Sequence, residues 1–308
     1  MKKIFVSFLV LVSFLQVALA QEEYLRRGVE AMDEREARSQ MEFLASDALQ
    51  GRLTSTVYSR ITAQYILAEL RELGYEPQIV DFESEVRNRS TGERDLLPMQ
   101  NILVTIAGED TSADVIVGAH YDHLGVDESG DVYNGADDNA SGVVAVLQIA
   151  RALKAAGETP KVNIILAFWD GEECGLHGSR NYVSSAEDLG RIKGYLNFDM
   201  IGRNTDESRP ELVRYIYSSK KPSYRSLLEG AIQDYDLSLE ADYRPADDDL
   251  GGSDNASFNR QGIPIAWFHT DGHPDYHQVT DTPEKLNWSK LMDIARAAYL
   301  ISWGMAQE

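Results

Sequence analysis

The sequence predicts an α/β protein: a three-layer α/β/α sandwich around a mixed, mostly parallel central sheet. Three observations carry this. Apolar runs of strand length, such as Asp114–Gly118, Val162–Trp169, Gly194–Met200 and Gly262–Phe268, recur with helical stretches between several of them. Val162–Trp169 is almost unbroken in its apolarity, the pattern of a strand covered on both faces. No internal repeat and no dividing linker interrupts residues 21–308, so they read as a single domain, with a helical segment over 21–75 and a core over 100–308.

The first twenty residues stand apart. Lys2-Lys3 forms a basic head, Ile4–Val17 an apolar stretch too short to span a bilayer comfortably, and Ala18-Leu19-Ala20 a small-residue cleavage pattern. A secretory signal cut after Ala20 is expected, which gives an exported protein, periplasmic or extracellular, with no membrane attachment after cleavage. Residues 21–75 then read as helical with breaks. Glu30–Leu49 is charged and amphipathic, Gly51–Thr56 is a polar interruption, and Ser59–Leu73 repeats Ile61, Tyr65, Ile66 and Leu70 at helical spacing before Gly74. Pro77–Glu85 alternates as a strand. Asn88–Glu93 is a polar turn whose Asn88-Arg89-Ser90 is a glycosylation acceptor only in a eukaryotic secretory pathway.

Beyond Gln100 come the strand Asn101–Ile106, the strand Asp114–Gly118 and an amphipathic helix Ser141–Ala156 closed by Gly157. The Val162–Trp169 strand follows, then a helix His177–Ser185 and the strands Gly194–Met200 and Leu212–Tyr217. Ser223–Tyr235 is helical, Leu237–Asn259 irregular and acidic, Gly262–Phe268 a last strand and Leu286–Met305 a closing helix.

A formal net charge of −21, from 29 basic and 50 acidic side chains, argues against nucleic acid or an anionic membrane as partner. Cys174 is the only cysteine, so no intramolecular disulfide forms. Beside a strand end it is a small apolar group or a thiolate ligand, the first being the commoner use.

The apolar runs give way to metal-ligand residue types. Gly118 leads into His120-Tyr121-Asp122-His123, a loop carries Asp137-Asp138, the Val162 strand delivers Glu172-Glu173, the Gly194 strand delivers Asp199, and Phe268 precedes His269, His273, His277 and Asp281. In such sheets the carboxyl ends of strands are where ligands bind, and imidazole with carboxylate is what Zn²⁺ takes where thiolates are lacking. So many of these residues at strand ends favour a metal centre over ordinary polar loops.

Six segments in this order resemble the zinc aminopeptidases of peptidase family M28, a group that includes bacterial leucyl-type aminopeptidases and glutamate carboxypeptidases: GAHYDHLG (118–125), NGADDNASG (134–142), FWDGEECGLHGS (168–179), NFDMIG (197–202), GGSDNASF (251–258) and HPDYHQVTDTPEKLN (273–287). The resemblance implies the fold of a zinc-dependent exopeptidase and two Zn²⁺ ions, for which Co²⁺ or Mn²⁺ can substitute. It makes His120 and Asp199 ligands of one zinc, Glu173 and His277 ligands of the other, and Asp138 the bridge, with a cis peptide to Asn139. His277 is chosen over His269 and His273 for its HxxxDT setting. Asp122 orients His120, and Glu172 is the general base that takes a proton from a metal-bridging water and returns it to the leaving amine. Tyr276 is an oxyanion donor or a tyrosine of the pocket rim, and Asp137 a turn or capping residue. Two departures are visible: Asn255 stands where relatives often have His, and Gly51–Tyr58 is less glycine-rich than usual.

What this implies is a secreted two-zinc metallopeptidase that removes N-terminal residues from peptides with a free N-terminus. A carboxypeptidase or dipeptidase, or a glutaminyl cyclase, would use the same fold. A non-catalytic binding domain would have lost ligands or the base, and this chain keeps both. Asp170, Asp247–Asp249 and Asp271 are candidates to face a substrate amine. Arg180, Arg203, Arg244 and Arg260 are candidates to clamp a carboxylate. Pocket walls are expected from Leu237–Asn259 and Gly202–Arg209.

Overall fold

The computed structural model describes residues 22–87, 92–247 and 250–308. The expected signal segment, the glycosylation triplet Asn88–Ser90 and two of the acids in Asp247–Asp249 lie outside these residues. Eight strands form one sheet: β1 (Gln78–Arg87), β2 (Arg94–Ile106), β3 (Asp110–His120), β4 (Val162–Trp169), β5 (Ile192–Phe198), β6 (Leu212–Ser218), β7 (Glu240–Ala246) and β8 (Ile265–His269). Their order is β1-β2-β4-β3-β5-β8-β6-β7. The β4–β3, β3–β5, β5–β8 and β6–β7 pairs are parallel, while β1–β2, β2–β4 and β6–β8 are antiparallel. The sheet is therefore mixed, with its parallel centre where the apolar runs are densest.

Among the described residues the α-helices are α1 (22–31), α2 (Glu34–Leu44), α3 (Val57–Glu72), α4 (Gly142–Ala156), α5 (His177–Ser185), α6 (Ser223–Asp234), α7 (Asn255–Asn259) and α8 (Trp288–Gln307). Strand alternation sorts the core into two layers. Val115, Val117, Ile164, Leu166 and Phe168 join one cluster with side chains of α2, α3, α4, α6 and α8. Ile116, Ile165, Ala167 and Trp169 point the other way, against Tyr182 and Val183 of α5 and Phe258 of α7. Helices thus cover both faces unequally. Every residue of β4 is buried, which explains why its sequence shows no polar alternation.

Two expectations change. Leu237–Asn259 is not irregular throughout: it contains β7, paired in parallel with β6, and the short α7. β7 (EADYRPA) is an edge strand with little burial, so it carries no apolar signal, and its proline sits where an edge tolerates one. β2 begins seven residues before Asn101, because the β1–β2 hairpin extends beyond the part of the sheet paired to β4.

Lys290, in the first turn of α8, is 2% exposed and donates to Arg203 O (2.7 Å) and Asn204 Oδ1 (2.9 Å). Burial pulls its ammonium down to about 8. Between that value and the usual ~10.4 of lysine, the unfolded chain binds the proton that the folded chain has released. This residue's contribution to stability therefore rises with pH over that window. Denaturant titrations across it should show stability rising more steeply, or falling less steeply, with pH in the wild type than in Lys290→Met; equal slopes would contradict the assignment.

Candidate metal centre

Four loops at the carboxyl edge of the parallel strands converge on one site. β3 ends in His120, and the chain runs on through Asp122 and His123. β4 leads into Glu172 and Glu173, and β5 into Asp199. Asp138 lies in the turn Ala136–Ser141 that opens α4, and its peptide to Asn139 is cis. His277 comes from the segment after β8.

Sequence-distant hydrogen bonds hold the Asp138 turn in place. Asp281 accepts from the amides of Asp137 (3.0 Å) and Asp138 (3.1 Å). Asn139 donates to Phe198 O (2.8 Å), which couples the turn to the end of β5 beside Asp199. Asp137 is not a helix cap: its Oδ1 accepts from Gly202 N (2.6 Å) and its Oδ2 faces His273 Nε2 at 3.2 Å, while Ser141 bonds its carbonyl. Asp122 does more than sit beside His120. Its carboxylate is 3.6 Å from His120 Nδ1 and accepts from the amides of Glu172 (3.0 Å) and Glu173 (3.3 Å), which ties the β3 and β4 loops together.

Two groups of potential ligands result, and Asp138 belongs to both: His120 with Asp138 and Asp199, and His123 with Asp138 and Glu173. His120 Nε2 lies 3.4 Å from Asp138 Oδ1 and 3.8 Å from Asp199 Oδ1. His277 Nε2 lies 3.1 Å from Asp138 Oδ2 and 3.2 Å from Glu173 Oε2. Ligand atoms about 2.0–2.1 Å from a tetrahedral zinc stand roughly 3.3–3.4 Å apart, so these edges suit such an ion. The buried His120 Nε2 has no hydrogen-bond partner, which fits an atom reserved for metal. The residues present therefore fit zinc.

The sequence shows His123 only as part of a motif, with no ligand role of its own. It is fully buried, with Nδ1 2.8 Å from Glu173 Oε1. Its signal, a second imidazole one residue past the H-x-D pattern, was available. Asp254, within the GGSDNASF segment, was also given no role. It is fully buried with neither oxygen hydrogen-bonded, and burial pushes its carboxyl up to about 7. Asn255, the departure from relatives, is buried beside it.

Glu172 completes neither ligand group, yet lines the same cavity. Burial raises its carboxyl well above the usual range against the opposing pull of His120, and Asp199, Asp254 and Glu173 raise it further. His277 is raised to about 10 by its hydrogen bonds to Asp138 and Glu173. Cys174 is no ligand here: its thiol faces Gly171 O at 3.5 Å, and burial pushes it up to about 12.

The cavity holds about 230 Å³ and is walled by Met200, Gly252, Trp267, Gly272 and Tyr276 above the carboxylates and His277. Tyr276 is 45% exposed and stacks on His277 at 3.9 Å. Neither expected wall segment contributes more than Gly252. The proposed amine-facing acids lie elsewhere: Asp170 lines a different cavity and accepts from Gln100 N, Asp271 pairs with Arg214, and Asp247 accepts from Ser219. Among the arginines, Arg203 is bound to Asp275 (2.7 Å), Arg244 to Asp242 (2.8 Å), and Arg180 and Arg260 line a separate cleft.

Residues 101–301 match the description of peptidase family M28. The chain belongs to that family. Its relatives include leupeptin-inactivating enzyme 1 of Streptomyces exfoliatus, 28% identical over 232 residues that make up 74% of this chain and 46% of the relative. A probable leucine aminopeptidase of Trichophyton verrucosum is 32% identical over 220 residues, 67% of this chain and 58% of the relative. The chain thus spans about half the length of these curated relatives. Among solved structures, a zinc aminopeptidase from Bacillus subtilis superposes with a TM-score of 0.74 over 89% of this chain and 95% of that one at 16% identity. A glutaminyl cyclase from Fimbriiglobus ruber does so with a TM-score of 0.71 over 90% and 96% at 20% identity. These likenesses establish the α/β exopeptidase fold, and the cyclase shows that the fold is shared by more than one chemistry. No described helix is long and apolar enough to cross a membrane.

Proposed function

We propose that this chain is a two-zinc aminopeptidase. The observation that carries the reading is the pair of ligand groups sharing Asp138, with Glu172 left over beside them. His120, Asp138 and Asp199 would hold one ion; Asp138, Glu173 and His277 would hold the other, with His123 bonded to the remaining oxygen of Glu173. When bound, the zinc ions supply a polarised substrate carbonyl and a water acidic enough to attack near neutral pH. Glu172, in the general-base role, would take that water's proton and pass it to the departing amine. Tyr276 stands at the rim, where its hydroxyl would meet the developing oxyanion. Residues 21–308 act as one peptidase domain, exported if the Lys2–Ala20 pattern serves as a signal.

Among the described residues, the cavity walls carry no lysine or arginine. The α-carboxylate needed by a carboxypeptidase therefore finds no clamp there. On protein with quantified metal, free-amine peptides and amino-acyl anilides should be cleaved while their N-acetyl versions are nearly inert. Comparable turnover of the acetylated set, with release of the C-terminal residue, would sink the aminopeptidase reading in favour of the carboxypeptidase one.

A further inference from the structure

Behind the carboxylate-lined cavity lies a buried cation that the chemistry above does not use. Arg52 is 1% exposed, and its backbone sits at a φ of 50°, a left-handed conformation that a non-glycine residue keeps only when its surroundings hold it there. Its guanidinium donates no hydrogen bond to a carboxylate. It donates instead to four backbone carbonyls: Nε to Tyr121 O (3.0 Å), Nη1 to Leu44 O and Asn134 O (both 2.6 Å) and Nη2 to Gly135 O (3.0 Å). Tyr121 lies between His120 and Asp122, and Asn134-Gly135 leads directly into the Asp138 turn. Leu44 is the last residue of α2, whose terminal carbonyls lack partners within the helix.

The backbone of the same segment is fitted against the loop after β3. Gly51 O accepts from Gly125 N (3.0 Å), Arg52 O accepts from His123 N (3.4 Å), and Leu53 bridges to His123. A Cβ on Gly51 would stand 2.1 Å from Gly125 O, so this close approach requires glycine.

We infer that Arg52 is a positioning residue: its planar fork fixes the loop bearing His120 and His123 relative to the turn bearing Asp138, and so presets the spacing of the metal ligands. The inference rests on the two-metal reading. Lysine retains the charge but concentrates its donors at one point, so it cannot span four carbonyls in the same plane. The two ways in which Arg52 can influence metal therefore separate. Through charge alone, Arg52→Lys binds metal as the wild type does and Arg52→Met binds it more tightly, because a repelling cation has gone. Through positioning, both variants bind it more weakly.

The experiment titrates Co²⁺ into metal-free protein, reading affinity by competition with a chromophoric chelator and geometry by the visible d–d absorption. We expect Arg52→Lys to lose at least about tenfold in Co²⁺ affinity and to shift the absorption band. Because the lysine variant can fail to fold, the same titration is made on Arg52→Ala refolded with methylguanidinium, which resupplies the fork without its tether. There the wild-type band should reappear. Wild-type affinity and spectrum in Arg52→Lys, or folded Arg52→Ala whose band never recovers with methylguanidinium, would overturn the role of Arg52. A wild-type chain that binds no Co²⁺ would instead overturn the metal reading on which it rests.

Discussion

Glu172→Gln is expected to keep its metal and to lose at least about a hundredfold in kcat, roughly 2.7 kcal/mol of transition-state stabilisation. The glutamine preserves shape and leaves both ligand groups intact, since Glu172 belongs to neither. What it removes is the ability to accept a proton. Asp122 accepts from the backbone amides of Glu172 and Glu173, so the loop itself should stay in place. Metal analysis of the purified variant beside its steady-state kinetics separates the possibilities. Loss of one equivalent of metal would make Glu172 a ligand and end its division of labour with Glu173.

Asp138→Asn should act on both ions together. Its Oδ1 faces His120 and its Oδ2 faces His277, and a neutral amide can offer a metal only one weakly donating oxygen. An ion held at a hundred times its Kd stabilises the fold by about 2.7 kcal/mol, so two ions contribute roughly 5. With an unfolding entropy of about 2.1 cal/mol/K per residue, a chain of this size converts that to roughly 8 to 9 °C in Tm. In saturating zinc the variant should therefore melt about that much below the wild type, and the gap should close in chelator. If Asp137→Asn behaved this way while Asp138→Asn did not, the shared ligand would be one residue upstream. Retention of one tightly bound ion by Asp138→Asn would mean that its carboxylate is not a bridge.

Much of this protein is legible along the chain. β4 is a run of eight buried residues, too short for a typical helix and rich enough in Val, Ile and aromatics to read as a strand covered on both faces. The loops that follow β3, β4 and β5 carry His120, Glu172, Glu173 and Asp199, so the site's address follows from the strand pattern alone. Edge strand β7 is not legible in this way, because a strand bonded on one side and scarcely buried need show no apolar alternation.

What the chain by itself determined was the inventory: the fold class, the ligand types and the family. What only the tertiary structure decided was which groups meet. Asp281 is 143 residues from Asp138 and bonds its amide, and Arg52 is 69 residues from the Tyr121 carbonyl that it holds. The same packing directs Asp271 to Arg214 and Arg203 to Asp275, away from the substrate roles that their charge suggested. The physical reason is that local pattern reports whether a residue is buried and on which face of its own element. The partner of a buried polar group is chosen by desolvation across the whole fold, where each such group must find a complementary atom, however distant in sequence.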